Sequence, residues 1–224
     1  MSGEVWMSSL KSNSQLGDKQ GLRTKFFGEE WEPASFILPV MSDATLANMK
    51  RSARGYALQR EELPEAAAIW NEKSFAKKGE IFWAGGFLVV RGKLAEILSR
   101  FDLGEGGLIP FPIYKADLVT PYPGEFFLLN FGAHKNSLLP KQCEDARKFI
   151  IEKNTGKQIW NVNDLKVDAF VAMSPAALDG PDLWFEETVY GEIFMSDTLG
   201  TAIAETQDAE EWRLHECKIV EAQP

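Results

Sequence analysis

The chain has 224 residues, of which 45% are hydrophobic, 12% aromatic and 25% charged, enough to bury one sizeable core and too apolar for intrinsic disorder. Its apolar runs, such as Phe87-Leu88-Val89-Val90 and Phe126-Phe127-Leu128-Leu129, fall far short of the ~20 residues of a membrane span. The N-terminal MSGEVW lacks the basic-then-apolar pattern of a secretory signal, so a cytoplasmic location with no membrane partner is expected.

The net charge of −9 is unevenly spread. From Asn161 onward there are 14 acids against Lys166, Arg213 and Lys218, whereas residues 1–160 hold 19 acids and 21 bases. An acidic third of this kind repels phosphate, which argues against nucleic acid as its partner. Cys143 and Cys217 have no Cys or His neighbour at metal-ligand spacing, and are expected to be reduced thiols.

In chain order, the first 30 residues are polar and read as an edge strand or a loose arm. Phe36–Val40 reads as a short strand and Ser42-Asp43 as the cap of a helix carrying Leu46 and Met49. Pro64 followed by Glu-Ala-Ala-Ala-Ile-Trp suggests a second short helix. The stretch 79–90 (GEIFWAGGFLVV) favours strand apart from Gly85-Gly86, which implies a bulge or a close backbone approach. Leu94, Ile97, Leu98 and Phe101 form one helical face, stopped by the glycines of 104–107. Strands are expected at 108–114 and 125–131, separated by the Pro-Tyr-Pro-Gly turn of 121–124.

Pro140 is expected to open a helix running to Lys153, with Thr155-Gly156 at its end. Val167–Met173 reads as a strand, and so do Gly191–Met195 and Trp212–Val220; between these two lie a Ser196-Asp197 cap and a short helix over 199–204. Residues 89–98 (VVRGKLAEIL) and 194–203 (FMSDTLGTAI) share apolar residues at their first, second, sixth and last positions. Either a duplication or the common grammar of a strand–helix–strand unit produces that match. The expected class is α+β, a mixed or mainly antiparallel sheet with helices packed on it and two such units, folded as one domain over 1–224.

No HExxH, CxxC, GxSxG or P-loop occurs, and Gly104-Glu-Gly-Gly follows a helix instead of preceding one, so it is not a phosphate cradle. His134 is expected in a loop and His215 on the last strand. The exceptional feature is Val167–Trp212, with 11 carboxylates and no Lys or Arg. Such a field either holds a hard cation, for which Asp179, Asp182, Glu186 and Glu187 are the candidate ligands of a metal-dependent hydrolase, or faces a basic protein. A scaffold or oligomerisation module, with these acids buried against itself or left wholly solvated, is the third reading.

The phrases GEIFWAGGFLVV (79–90), TPYPGEFFLLNFG (120–132), AALDGPDLWF (176–185) and FMSDTL (194–199) resemble the eleventh immunity-protein family of bacterial polymorphic-toxin systems, typified by a myxobacterial immunity protein. The resemblance covers residues 79–220 and leaves 1–78 unplaced. It implies a cytoplasmic antitoxin, without catalytic residues or cofactor, that neutralises a cognate toxin, often a nuclease of the His-Asn-His type. Combined with the charge pattern, it makes Asp179, Asp182, Glu186, Glu187, Asp208, Glu210 and Glu211 the expected partner-binding residues, with Trp184 as aromatic anchor.

Overall fold

A computed structural model describes residues 4–13, 16, 21–31, 41–153, 155–162 and 170–221. In chain order the first half comprises β1 (Glu4–Ser8), β2 (Leu22–Phe26), α1 (Asp43–Ser52), β3 (Pro64–Ile69), α2 (Glu72–Phe75), β4 (Ile81–Ala84), β5 (Phe87–Arg91), α3 (Gly92–Leu98), β6 (Gly107–Pro110) and β7 (Ile113–Tyr114). The second half comprises β8 (Phe126–Asn130), β9 (His134–Lys135), β10 (Arg147–Ile151), β11 (Gln158–Asn161), β12 (Ala172–Met173), β13 (Leu183–Glu186), β14 (Ile193–Ser196), α4 (Asp197–Ala204), α5 (Ala209–Trp212) and β15 (Leu214–Ile219). The fold is α+β with mixed and antiparallel sheets.

The chain divides into two compact units, and neither has a boundary near residue 78. The first contains residues up to 13, 101–105 and 132 onward; the second contains 14–100 and 106–131. The first unit holds a sheet in the order β12-β15-β1-β14-β13-β9 and the hairpin β10-β11. The second holds β2-β3-β7 and β4-β5-β8-β6.

The two units share a connectivity. In the second, β4 and β5 form an antiparallel hairpin, α3 starts on the residue after β5, β8 lies between β5 and β6, and β7 returns parallel to β3. In the first, β13 and β14 form the hairpin, α4 starts on the residue after β14, and β1 lies between β14 and β15. There the single long β15 covers two roles, pairing with β1 along most of its length and parallel to β12 at its end. Each half's opening strand therefore sits in the sheet built by the other half, β1 with β14 and β15, β8 with β5 and β6.

The short sequence match lies at the centre of this unit, with both strand–helix junctions falling at the same alignment position. Val89, Val90, Leu94 and Leu98 correspond to Phe194, Met195, Leu199 and Ile203, and all eight are fully buried. The helix starts are satisfied differently. Ser196 accepts from the N–H of Leu199, the ordinary cap. Arg91 has no such side chain, and the carboxylate of Glu80 accepts from the N–H groups of Lys93 and Leu94 instead, at 3.0 and 2.9 Å.

Several local expectations hold. Ser42 caps α1, and the strand, cap and helix around Ser196-Asp197 appear as read. Gly85-Gly86 is the two-residue turn of the β4–β5 hairpin, with φ of +56° and +81°, the left-handed pair such a turn requires. Phe36–Val40 lies outside the described residues, as do 167–169 of the expected Val167–Met173 strand, of which Ala172–Met173 forms β12.

Three expectations fail for tertiary reasons. The polar N-terminal stretch contributes β1 not at an edge but between β14 and β15, with Val5 and Met7 buried. Residues 64–69 are strand, not helix: the small Ala66, Ala67 and Ala68 are buried where β3 lies between β2 and β7, and pairing on both sides overrides their helix propensity. The helix expected from Pro140 to Lys153 is instead β10, turned into β11 by a loop in which the N–H of Gly156 donates to the carbonyl of Glu152 at 2.8 Å. Phe149-Ile150-Ile151 is a strand-favouring run, and Thr155-Gly156 ends a hairpin strand instead of a helix.

Candidate functional site

Folding redistributes the acidic segment. β13 places Trp184 and Glu186 in the interior, at 0% and 2% exposure. The Trp184 ring stacks on Phe194 with centroids 6.2 Å apart and lies under the Lys135 ammonium, 3.5 Å from the ring centroid. Trp184 is thus a core residue and not a surface anchor.

Glu186 is correspondingly no partner-binding carboxylate. Its Oε2 accepts from the backbone N–H groups of Ser137 and Leu138 at 2.7 and 3.1 Å, and its Oε1 from Trp184 Nε1 at 3.0 Å and from the Ser137 hydroxyl. Four donors around one carboxylate make a buried charge tolerable and pin the 137–138 segment to β13.

Asp182, half-buried, is also structural. Its Oδ2 accepts from the N–H of Asp102 at 2.9 Å and its Oδ1 from the Ser196 hydroxyl at 2.6 Å, so it joins the 101–105 loop to the start of α4. Glu187 is exposed and ion-paired with Lys157. Asp179 is exposed on the turn after the 3-10 segment Pro175–Leu178. Lys135 sits within the field of Glu186, Asp182, Asp179 and Asp102; burial still holds its ammonium below the usual lysine range, against the opposing pull of those four carboxylates.

A second lysine from outside the acidic segment reaches it as well. Lys11 Nζ lies 4.4 Å from the Phe185 ring centroid, and burial pushes it down to about 7 while Glu192 pulls the other way. The 46-residue stretch without a base therefore does not form one acidic face. Lys11, Lys135 and Lys157 come into it from distant positions in the chain.

Of the remaining described acids, Glu192 is buried ahead of β14 and Asp197 starts α4; the other four lie at the α4–α5 corner. Glu205 and Glu210 are exposed; Asp208 and Glu211 are half-exposed. Glu211 accepts from the Asn13 side-chain amide, and Asp197 accepts from Trp6 Nε1 at 3.3 Å, so these two also serve the fold. Asp197–Trp212 contains five carboxylates and no Lys or Arg.

His134 falls on β9 and not in a loop; His215 lies on β15 as expected, and both are half-exposed. Among the described residues no group of three or more His, Cys, Asp or Glu side chains is placed to hold a metal ion. The Asp179–Glu187 carboxylates proposed as ligands point to separate tasks: a turn, a loop tie, a buried network and a surface ion pair.

Both cysteines are free thiols. Burial raises both, Cys217 well above the usual range, and a protonated buried thiol is a poor nucleophile. In the native protein Ellman's reagent is expected to modify the half-buried Cys143 slowly and to leave Cys217 untouched until urea is added. Rapid reaction of two thiols in buffer would contradict the packing.

No protein-family model matches the chain, and no curated protein is similar to it at a significant level. The resemblance to the immunity family thus rests on the sequence phrases themselves. Of these, GEIFWAGGFLVV builds the β4–β5 hairpin and FMSDTL the β14–α4 junction, the matching pieces of the two units. Sequence reasoning missed the exposed β10–β11 hairpin, whose signal was the β-branched run at 150–151.

Proposed function

We propose that the chain is a non-catalytic immunity protein of the cytoplasm that binds and neutralises a cognate toxin carrying a basic, nuclease-type surface. The observation that carries this reading is the α4–α5 corner, where Glu205, Asp208 and Glu210 stand at the surface of a 16-residue stretch that has no base. A nuclease presents a cationic cleft to phosphate, and an acidic corner accelerates encounter with it and selects against neutral partners. Trp184, Asp182 and Glu186 act in this reading only by holding α4 and β13 in place. The family resemblance supplies the toxin as partner; the charge distribution supplies the face.

The test is charge reversal, Glu205→Lys with Glu210→Lys, measured against the product of the adjacent gene as candidate toxin. Both positions are exposed, so the fold should be unchanged by circular dichroism. Binding is expected to weaken at least about tenfold at low ionic strength, with a shallower dependence on salt. Unchanged affinity and unchanged salt dependence would remove the corner from the interface.

A further inference from the structure

The β10–β11 hairpin combines three features that the proposed function does not use. First, β10 pairs with β11 alone among the described residues, while β11 is tied on its other side to 188–190 by the N–H of Trp160 to the carbonyl of Thr188 and the N–H of Tyr190 to the carbonyl of Trp160, at 2.8 and 3.0 Å. Among the described residues, the outer edge of β10 therefore presents its backbone groups without a strand neighbour.

Second, all five residues of β10 are exposed. Phe149, Ile150 and Ile151 are 47%, 47% and 65% exposed, and the 56%-exposed Tyr190 lies against Phe149 with ring centroids 4.8 Å apart. Three consecutive apolar residues put apolar surface on both faces of one edge strand. Natural edge strands usually avoid that arrangement, because it templates pairing with another chain.

Third, the hairpin is basic within an acidic protein. Residues 147–161 hold Arg147, Lys148, Lys153 and Lys157 against Glu152 alone, and Lys157 is engaged by Glu187. Arg147, Lys148 and Lys153 are exposed beside the apolar run.

We propose that the β10 edge is a strand-addition site for an extended segment of another protein in which a short apolar run is flanked by acidic residues. Backbone hydrogen bonds along the edge would supply the pairing, apolar side chains of the segment would cover Phe149, Ile150 and Ile151, and carboxylates flanking them would meet Arg147, Lys148 and Lys153. The same charges decide against a second copy of this chain. Self-pairing would bring together two hairpins that each hold four bases against one acid over residues 147–161, and that net like charge disfavours a ladder between copies. This site is independent of the α4–α5 corner, and the reversals at Glu205 and Glu210 leave it unchanged.

The test uses the full chain and a fluorescein-labelled eight-residue peptide, four Val flanked by two Glu on each side, followed by fluorescence anisotropy. Saturable binding is expected, at least about tenfold weaker for Arg147→Glu with Lys148→Glu and for Phe149→Ser with Ile151→Ser, and weaker as salt rises from about 50 to 300 mM. The same peptide N-methylated at alternate residues loses the strand hydrogen bonds and is expected not to bind. Far-UV circular dichroism of both variants checks that the hairpin is retained. Equal binding of a Lys–Val peptide, undiminished binding of the N-methylated peptide, or no saturation up to about 1 mM would overturn the proposal. A concentration-dependent dimer that Phe149→Ser with Ile151→Ser dissolves would overturn it too, by assigning the edge to a second copy.

Discussion

Deleting residues 1–13 is expected to abolish the fold of the first unit, and reattaching them behind residue 224 through a short flexible linker to restore it. β1 lies between β14 and β15, so its loss opens the sheet along two edges at once. Val5, Met7 and Leu10 are each at most 2% exposed, and removing three such side chains at about 2–5 kcal/mol apiece approaches or exceeds the 5–15 kcal/mol stability of an ordinary domain. The reattachment is expected to work because Glu4 pairs with Lys218 in an antiparallel ladder. The start of β1 thus adjoins the end of β15, where a hairpin connection fits. The measurements are near-UV circular dichroism and the urea unfolding transition. A deletion protein that keeps its near-UV signal and its unfolding midpoint would refute the placement of β1.

Glu186→Ala is expected to cost about 3–5 kcal/mol. Three donors, the N–H groups of Ser137 and Leu138 and the Trp184 indole N–H, lose their acceptor in the interior, and each buried donor left unsatisfied costs about 1–3 kcal/mol. The relief of no longer burying a charge offsets part of that sum, which keeps the estimate below the upper limit. Glu186→Gln retains one acceptor oxygen in the same shape and is expected to lose less, with an unfolding midpoint in urea between those of the parent and the alanine variant. An alanine variant within about 0.5 kcal/mol of the parent would place the carboxylate outside the network. The comparison also bears on function, because a strong stability loss at Glu186 mimics a binding defect unless folding is measured alongside.

Legibility followed the range of the interactions concerned. The hairpin at Gly85-Gly86, the Ser42 and Ser196 caps, and the helical face of Leu94, Ile97 and Leu98 are written in neighbouring residues and appear in the structure, although Phe101, expected on that face, lies beyond the end of α3. The ten-position match of 89–98 and 194–203 left duplication and shared grammar open. The common strand order around both segments now favours a repeated architecture, extending well beyond those ten positions to β3 with β7 and β12 with β15. Ala66–Ala68 and Phe149–Ile151 were misread because helix and strand differ there only in what lies alongside.

The candidate site was less legible than the fold. Counting charges along the chain singled out Asp208, Glu210 and Glu211, which lie at the α4–α5 corner, but not the exposed Glu205 beside them, and it enrolled Glu186 and Trp184, which are interior, and Glu187, which is paired with Lys157. A linear count treats neighbours in sequence as neighbours in space.

By itself the sequence determined the α+β class, the local turns and caps, and the excess of acid in its last third, because propensity, capping chemistry and net charge are properties of short segments or of composition. The tertiary structure alone decided that the N-terminal strand completes a sheet with β14 and β15 about 190 positions away, that Lys11, Lys135 and Lys157 enter the acidic segment, and which carboxylates remain at the surface. Those outcomes depend on pairing between distant strands, where burial and hydrogen-bond satisfaction select one partner among many that local pattern treats alike.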